Sequence, residues 1–448
     1  MEAELREHGQ EQVLRFWDEI DQEGRAQLLQ QISDLDLSAL GAVFTAKEEE
    51  LDPELVAPYS EVIRRSDTGR SDAKAAGEAA LAAGRVGTLL VAGGQGSRLG
   101  FDGPKGAFLL GSVSKRSLFE IHVQRLLALG RRHGQVPPLY VMTSDTNHQQ
   151  TLDCFSSAKN FGLPPERLFI FQQGLAPALD TSGRVLLAAK DSLLLVPNGN
   201  GGLFAALEDS VAFAHMKTHG VDVISYVHVD NPLARSCDPV FVGYHLQRDC
   251  QYSCKTLAKT GPHEKVGNYA LVQGRLGIIE YNDIPDDMVS ARDEKQELLF
   301  GWGSPGFFLF SRSFAEKQAA RTDLPVHKAH KKLRHLGADG KLVDPEAPNA
   351  IKLETYAHDT LLDAKHTLVL ECERASEFAP VKNATGVDSA QSARELMTAL
   401  YRGWLEEAGA TIVGNPQLEI SPIRALDAED LLASGAGELR IEGDTYLE

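Results

Sequence analysis

Arg98 and Lys105 stand in one loop with Gly93, Gly94, Gly96, Gly100, Gly103 and Gly106. Glycines let a backbone approach a ligand closely, and bare N–H groups beside Arg and Lys suit a polyphosphate. The loop is not a Walker A motif, because no Gly-Lys-Ser/Thr tripeptide occurs. Gly94, Gly96 and Gly100 read G-x-G-x-x-x-G, one residue too long for a dinucleotide fingerprint. A second glycine cluster, Pro197-Asn-Gly-Asn-Gly-Gly202, precedes a helical pattern, and its Asn200 carries both a donor and an acceptor. Asp230 closes the apolar run 221–229, and a carboxylate at the end of a core strand suits Mg²⁺. Two further lysines, Lys352 and Lys382, lie far along the chain in Pro348-Asn-Ala-Ile-Lys352-Leu-Glu354 and Glu377-Phe-Ala-Pro-Val-Lys382-Asn383.

The elements that must position these residues alternate. The apolar run 86–92 predicts a buried parallel strand that feeds directly into the first glycine loop. Ser117-Leu-Phe-Glu120 has the form of a capping box and opens a helix whose Phe119, Val123, Leu126 and Leu127 share a face. Strands follow over 138–144, 168–171 and 221–229, with helices over 146–161 and 203–219. This alternation predicts an α/β core with a mostly parallel sheet, in which ligands bind beyond the carboxyl ends of strands. The Gln172-Gln173-Gly174 segment ends one of those strands. Residues 268–272 and 275–281 flank Gln273-Gly274 and predict a hairpin.

Around this core, residues 10–46 predict helices broken near Gly24, and 66–84, rich in Ala, Gly, Ser and Asp, predict an exposed connection that can include a short helix. A helix is expected over 389–405 and a small strand-and-turn region over 409–448. The division expected is an N-terminal helical region 1–84, a core 85–388 and a small C-terminal domain 389–448.

Composition narrows the function. A net charge of −18 over 448 residues argues against nucleic acid or an anionic membrane surface as the main partner. An anionic substrate must then be gathered by a local basic pocket. The five cysteines form no C-x-x-C pair, which suggests reduced thiols in a cytoplasmic protein. The acidic start gives no signal peptide, and no apolar run reaches membrane-spanning length. The one basic run, 326–335, contains His327 and His330, which read as a solvated or structural face because nothing nearby completes a metal site.

The 91–106 string, Pro197 to Gly202, Asp230-Asn231, the two lysine strings and Glu419-Ile-Ser-Pro422 occur in one order. Together they resemble the eukaryotic-type UDP-sugar pyrophosphorylases, most closely the UDP-N-acetylglucosamine pyrophosphorylases. The resemblance runs over most of the chain. It departs at Val91, where the family usually has Leu, and at Asn198, where it has Asp. It also departs at Gly301-Trp-Gly-Ser304, where the family has Asn-Ala-Gly-Asn and the second Asn touches the sugar.

The resemblance implies a Rossmann-like, GT-A-like nucleotidyltransferase core that joins UTP and a sugar 1-phosphate into a UDP-sugar and pyrophosphate, with Mg²⁺. The sugar implied is an N-acetylhexosamine. The alternatives are a UTP–glucose-1-phosphate uridylyltransferase and a UDP-sugar-binding protein without turnover. By the same resemblance Arg98 and Lys105 hold the β- and γ-phosphates, Lys352 the UTP phosphates and Lys382 the sugar phosphate. Val91, Ala92, Gly93, Gly94, Gln173 and Gly199 frame the uridine, Asp230 holds the metal, and Asn200, Glu280 and Tyr281 face the sugar.

Overall fold

The computed structural model describes residues 1–46, 51–321 and 323–448. Two compact units emerge, each built from three separated segments. The larger comprises Asp52–Gln172, Phe204–Ala320 and Thr360–Glu448, and the smaller Met1–Leu51, Gln173–Leu203 and Arg321–Asp359. No helix among the described residues is long and apolar enough to cross a membrane.

The larger unit is an α/β layer structure. Its elements in chain order are α1 (Arg70–Ala82), β1 (Val86–Val91), α2 (Leu118–His133), β2 (Leu139–Thr143), β3 (Leu168–Gln172) and β4 (Val223–His228). There follow α3 (Pro239–Gln247), β5 (Tyr252–Ala258), β6 (Phe308–Ser311), β7 (Thr367–Glu371) and α4 (Ala390–Glu407). Among the described residues its main sheet has twelve strands and contains the run β5-β6-β4-β1-β2-β3. β4, β1, β2 and β3 are mutually parallel, β6 is antiparallel to both its neighbours, and β7 pairs parallel with β5. β1 is buried on both faces up to Val91, as a central parallel strand must be. In the β1–β4 ladder Val91 lies opposite His228. The first glycine loop and the turn carrying Asp230 therefore leave the sheet side by side, at the carboxyl ends of adjacent strands.

Local chemistry sets the boundaries. Ser117 caps α2 by accepting the Glu120 N–H at 3.2 Å, and Gly134 at φ 81° ends it. The hairpin expected around Gln273-Gly274 is present, with both residues at positive φ (51° and 75°), as a two-residue type I′ turn requires.

Three expectations are corrected. The helical stretch near the N-terminus does not break at Gly24. Gly24 lies in the first turn of the helix Gln22–Ser33, donating its N–H to the Asp21 carboxylate at 2.8 Å. It is buried there because a Cβ would come within 2.9 Å of Asp191 Cβ. The 203–219 helix is interrupted by Val211 at φ 60°. The short helix allowed within 66–84 is a full helix, α1, over 70–82, and it is packed rather than exposed. Its small residues are a packing stripe, with a Cβ on Gly77 falling 1.8 Å from Pro239 O and one on Gly243 falling 1.7 Å from Ala73 O. The backbones of α1 and α3 thus touch where neither carries a side chain.

The smaller unit packs the N-terminal helices on short strands around Leu28, Ile32, Leu179, Leu187, Ile351 and Leu353. Strand Ala350–Glu354 pairs with His327–Lys331 and with Leu179–Asp180. Ile351 and Leu353 point into the core, so the strand alternation sends Lys352 and Glu354 to the opposite face.

The α1–α3 contact yields a contrast. Gly77→Ala should destabilise the protein by about 3 kcal/mol or more, because a backbone clash cannot be relieved by a rotamer change. Gly403→Ala, at an exposed position of α4 with nothing within 4 Å of its Cβ, should stabilise by about 0.5–1 kcal/mol. Urea-denaturation midpoints compare the two directly.

Candidate active site

The loop after β1 is folded by its own backbone. Gly96 N donates to Gly103 O at 2.8 Å, Phe101 N to Gly96 O at 3.1 Å and Lys105 N to Gly94 O at 3.0 Å. Buried Asn147 ties the loop from outside, its Nδ2 donating to Ala92 O at 2.8 Å and Gly94 O at 3.2 Å. Ser144 Oγ donates to Gly93 O at 2.8 Å. Gly106 is required sterically, since a Cβ would come 2.2 Å from the Phe119 ring of α2. The outcome is a fixed loop rather than a flexible one, and Lys105 emerges from it toward the end of β4.

There Lys105 Nζ lies 3.4 Å from Asp230 Oδ2, with both side chains 18 % exposed. Burial pushes the Asp230 carboxyl up, but Lys105, His228 and Lys382 outweigh it and hold the group below its usual range. For His228 burial acts first and lowers the imidazole's pKa; Lys382 and Lys105 reinforce this against Asp230. Lys105, His228, Asp230 and Lys382 therefore form one cluster of an ionised carboxylate, a neutral imidazole and two ammonium groups.

Lys382 reaches this cluster because its segment is bonded to the Asp230 turn. Val381 N donates to Asp230 O at 2.8 Å. Asn231, 2 % exposed, donates through Nδ2 to Glu377 O at 2.7 Å and accepts from Ala379 N at 3.0 Å. Glu377 is itself anchored by buried Lys255 at 2.5 Å, which also holds Asp238 at 2.6 Å. The Glu377 to Lys382 string is thus mostly scaffold that presents one lysine.

The sugar-side expectation meets a different geometry. Ser304 Oγ accepts from Tyr269 OH at 3.2 Å and from Gly306 N at 3.3 Å. A Cβ on Gly306 would fall 3.0 Å from His228 Nε2, so this turn lies against the imidazole. A Cβ on Gly267 would sit 3.8 Å from both Glu280 Oε1 and Ser304 Cβ, which places Glu280 and Ser304 around one point. Tyr281 is 39 % exposed beyond them. Arg98 stands apart, exposed on the turn Ser97–Leu99.

Gln173, Gly199, Asn200 and Lys352 belong to the smaller unit. Gly199 adopts φ 86°, and a Cβ there would fall 2.4 Å from Thr355 O. Asn200 Oδ1 accepts from Ala357 N at 2.9 Å, so its carbonyl is spent on the fold while its amide still offers donors. Asn198 is also structural. It packs against Gly174 and Gly202, where Cβ atoms would fall 2.8 and 2.2 Å from its side chain. Lys352 Nζ pairs with Glu354 Oε1 at 2.7 Å. His327 pairs with Asp359 at 3.1 Å, consistent with a structural face.

Sequence reasoning gave no role to His228 or Gly306 and marked Asn231 only as part of the Asp230-Asn231 string. The His-x-Asp spacing of residues 228–230 was a legible signal, because alternate residues at a strand end share a face. What Asn231 and Gly306 contact could not be read, since their partners lie far along the chain.

A divalent cation fits this set in one way. Among the described residues no group of three or more His, Cys, Asp or Glu gathers to hold a metal. The ionised Asp230 carboxylate is a suitable single ligand, and hard oxygens from bound phosphates would complete the shell.

A family profile described as "UTP–glucose-1-phosphate uridylyltransferase" matches residues 39–421. The chain is 35 % identical over 436 residues to human UDP-N-acetylhexosamine pyrophosphorylase-like protein 1, covering 91 % of this chain and 85 % of the relative. It is 32 % identical over 459 residues to UDP-N-acetylglucosamine diphosphorylase 2 of Arabidopsis thaliana, covering 96 % and 90 %. The crystal structure of the uridine diphosphate N-acetylglucosamine pyrophosphorylase from Trypanosoma brucei, in complex with an inhibitor, superposes with a TM-score of 0.81 at 26 % identity, covering 98 % of this chain and 96 % of that one. With a phosphate-type loop and a cation-flanked carboxylate at the ends of adjacent parallel strands, the chain belongs to the UTP–glucose-1-phosphate uridylyltransferase family and is a nucleotidyltransferase.

Proposed function

We propose that this protein joins UTP and an N-acetylhexosamine 1-phosphate into a UDP-N-acetylhexosamine and pyrophosphate, in the cytoplasm. The observation that carries the reading is the cluster of Lys105, Lys382 and His228 around Asp230 at the mouth of the first glycine loop. The five cysteines are free, in keeping with a reducing compartment.

The reaction needs no protein nucleophile. The sugar phosphate oxygen is already anionic and attacks the α-phosphorus in line, opposite the leaving pyrophosphate. The side chains here suit that role. Burial raises the Cys237 thiol to about 12 and pushes Cys254 and Cys372 up as well, so none of the three is a thiolate. The catalytic contribution is placement and charge neutralisation. Lys105 holds the departing phosphates, a role the resemblance extends to Arg98. Lys382 holds the sugar phosphate, and the Asn231 clamp fixes its distance from Asp230. Asp230 would hold Mg²⁺, which when bound neutralises charge at the α-phosphate. Val91 to Gly94 offer backbone to the uridine. By the resemblance Gln173 and Gly199 also serve the uridine and Lys352 the UTP phosphates. Asn200, Glu280 and Tyr281 serve the sugar.

The glucose 1-phosphate reading keeps one specific support. Ser304, where the resembled family carries a sugar-touching Asn, is shorter and already bonded to Tyr269 and Gly306. A panel of the 1-phosphates of N-acetylglucosamine, N-acetylgalactosamine, glucose and galactose, with UTP and Mg²⁺, decides between them. Pyrophosphate release should be fastest with an N-acetylhexosamine. Preference for glucose would move the assignment to the alternative, and silence with UDP-sugar binding intact would leave a binding protein.

Two variants test the roles. Lys105→Ala should lower kcat by about 10²–10³ with an unchanged circular dichroism spectrum; near-normal turnover in a folded variant excludes the assignment. Asn231→Ala should raise KM for the sugar 1-phosphate about tenfold while UTP binding, read by calorimetry, is retained, because it loosens Lys382 and leaves the β1 loop intact.

A further inference from the structure

Of the four side chains clustered at the Asp230 turn, His228 alone has no task in the reaction described above. The sheet sets its place. In the β1–β4 ladder it lies opposite Val91, where the first glycine loop begins. On the other side β4 runs antiparallel to β6, with Tyr226 opposite Phe308. That pairing carried two residues further brings His228 against Gly306. The imidazole therefore stands at the end of the sheet, between the first glycine loop and the turn that follows Ser304. Asp230 comes two residues later on the same chain.

The two ring nitrogens have different surroundings. A Cβ on Gly306 would fall 2.8 Å from Cδ2 and 3.0 Å from Nε2, with no other ring atom within 4 Å. Gly306 thus meets the ring edge-on, along Cδ2–Nε2. The opposite edge, which carries Nδ1, is turned away from Gly306, on the side of the loop from which Lys105 emerges. Nε2 also lies 3.4 Å from the Tyr226 hydroxyl. Tyr226 is buried and packed on Phe308 and Phe310 at ring separations of 5.3 and 5.9 Å, so that hydroxyl is held in place. A phenol donates more readily than it accepts. With Tyr226 donating to Nε2, the proton of a neutral ring is on Nδ1. Burial, reinforced by Lys382 and Lys105, keeps the ring neutral.

We infer that His228 is a further catalytic residue, whose Nδ1–H donates to a non-bridging oxygen of the α-phosphate during transfer. The assignment rests on the uridylyl transfer proposed above. It follows from placement: Lys105 stands for the departing phosphates, Lys382 for the sugar phosphate, and the imidazole lies at the sheet end by Asp230, its donor edge turned from the sugar-side turn toward the nucleotide loop. A fixed donor at the phosphorus under attack needs no rearrangement as the equatorial oxygens change charge.

Three variants of the full-length protein test it. Asn carries its amide nitrogen near the place of Nδ1, Gln near that of Nε2, and Phe keeps the ring without a donor. His228→Phe should lower kcat about 10–100-fold, with kcat/KM falling alongside and UTP affinity by calorimetry retained. His228→Asn should recover most of the loss and His228→Gln little of it. Sulfur is a poor acceptor, so one diastereomer of UTP sulfur-substituted at the α-phosphorus should be slowed in the parent by a factor that shrinks in His228→Phe. Near-parent turnover in a folded His228→Phe, Asn and Gln variants of equal activity, or sulfur effects identical in parent and variant would each overturn the role. A parent that forms no UDP-sugar would instead remove the uridylyl transfer itself, and this role with it.

Discussion

The hydrogen bonds that hold the turn after β4 are the constraint on which the site depends. Asp230 offers its carbonyl to Val381, Asn231 takes both Glu377 and Ala379, and Val229 meets His122. The side chains at this point carry charge, so they could not hold themselves together without such a frame. Two ammonium groups next to each other repel. They are tolerated because the Asp230 carboxylate attracts both and because their backbones are fixed by other bonds. A loop free to move would let the lysines part, and the cluster would lose the geometry that a polyphosphate needs.

That frame is made by segments distant in sequence. The first glycine loop leaves β1, Asp230 leaves β4, and Lys382 arrives on a segment after β7 that is stapled by the Lys255, Asp238 and Glu377 ion pairs. Parallel pairing of β1 with β4 sets Val91 opposite His228 and so decides that the two exits adjoin. Burial then raises the stakes of each charge. The same low dielectric that would penalise an unpaired group strengthens the attraction between Asp230 and its cations. Catalysis by neutralisation is a natural use of such a site, since the groups are in place before charge develops.

Much of this was legible before any coordinates. The apolar run into a glycine loop named the strand and the ligand class, and Asp230 stood out because it ended the next buried strand. What could not be read were partnerships across long separations. Asn231 looks like an ordinary turn residue until Glu377 and Ala379 are beside it. The Ala and Gly of 70–82 looked like a linker because low side-chain volume signals either exposure or very close packing, and only Pro239 and Ala73 show which. His228 was overlooked as the last residue of an apolar strand, although its spacing to Asp230 put both on one face. The smaller unit draws on three segments, a discontinuity that composition along the chain does not express.

The central claim is that transfer occurs in one displacement at the α-phosphorus, with the protein supplying position and charge but no covalent intermediate. The most direct measurement is the stereochemical course with a UTP analogue made chiral at the α-phosphorus by a sulfur substitution. The account predicts inversion of configuration in the UDP-sugar. Retention would mean two displacements, hence a uridylylated side chain, and would contradict it.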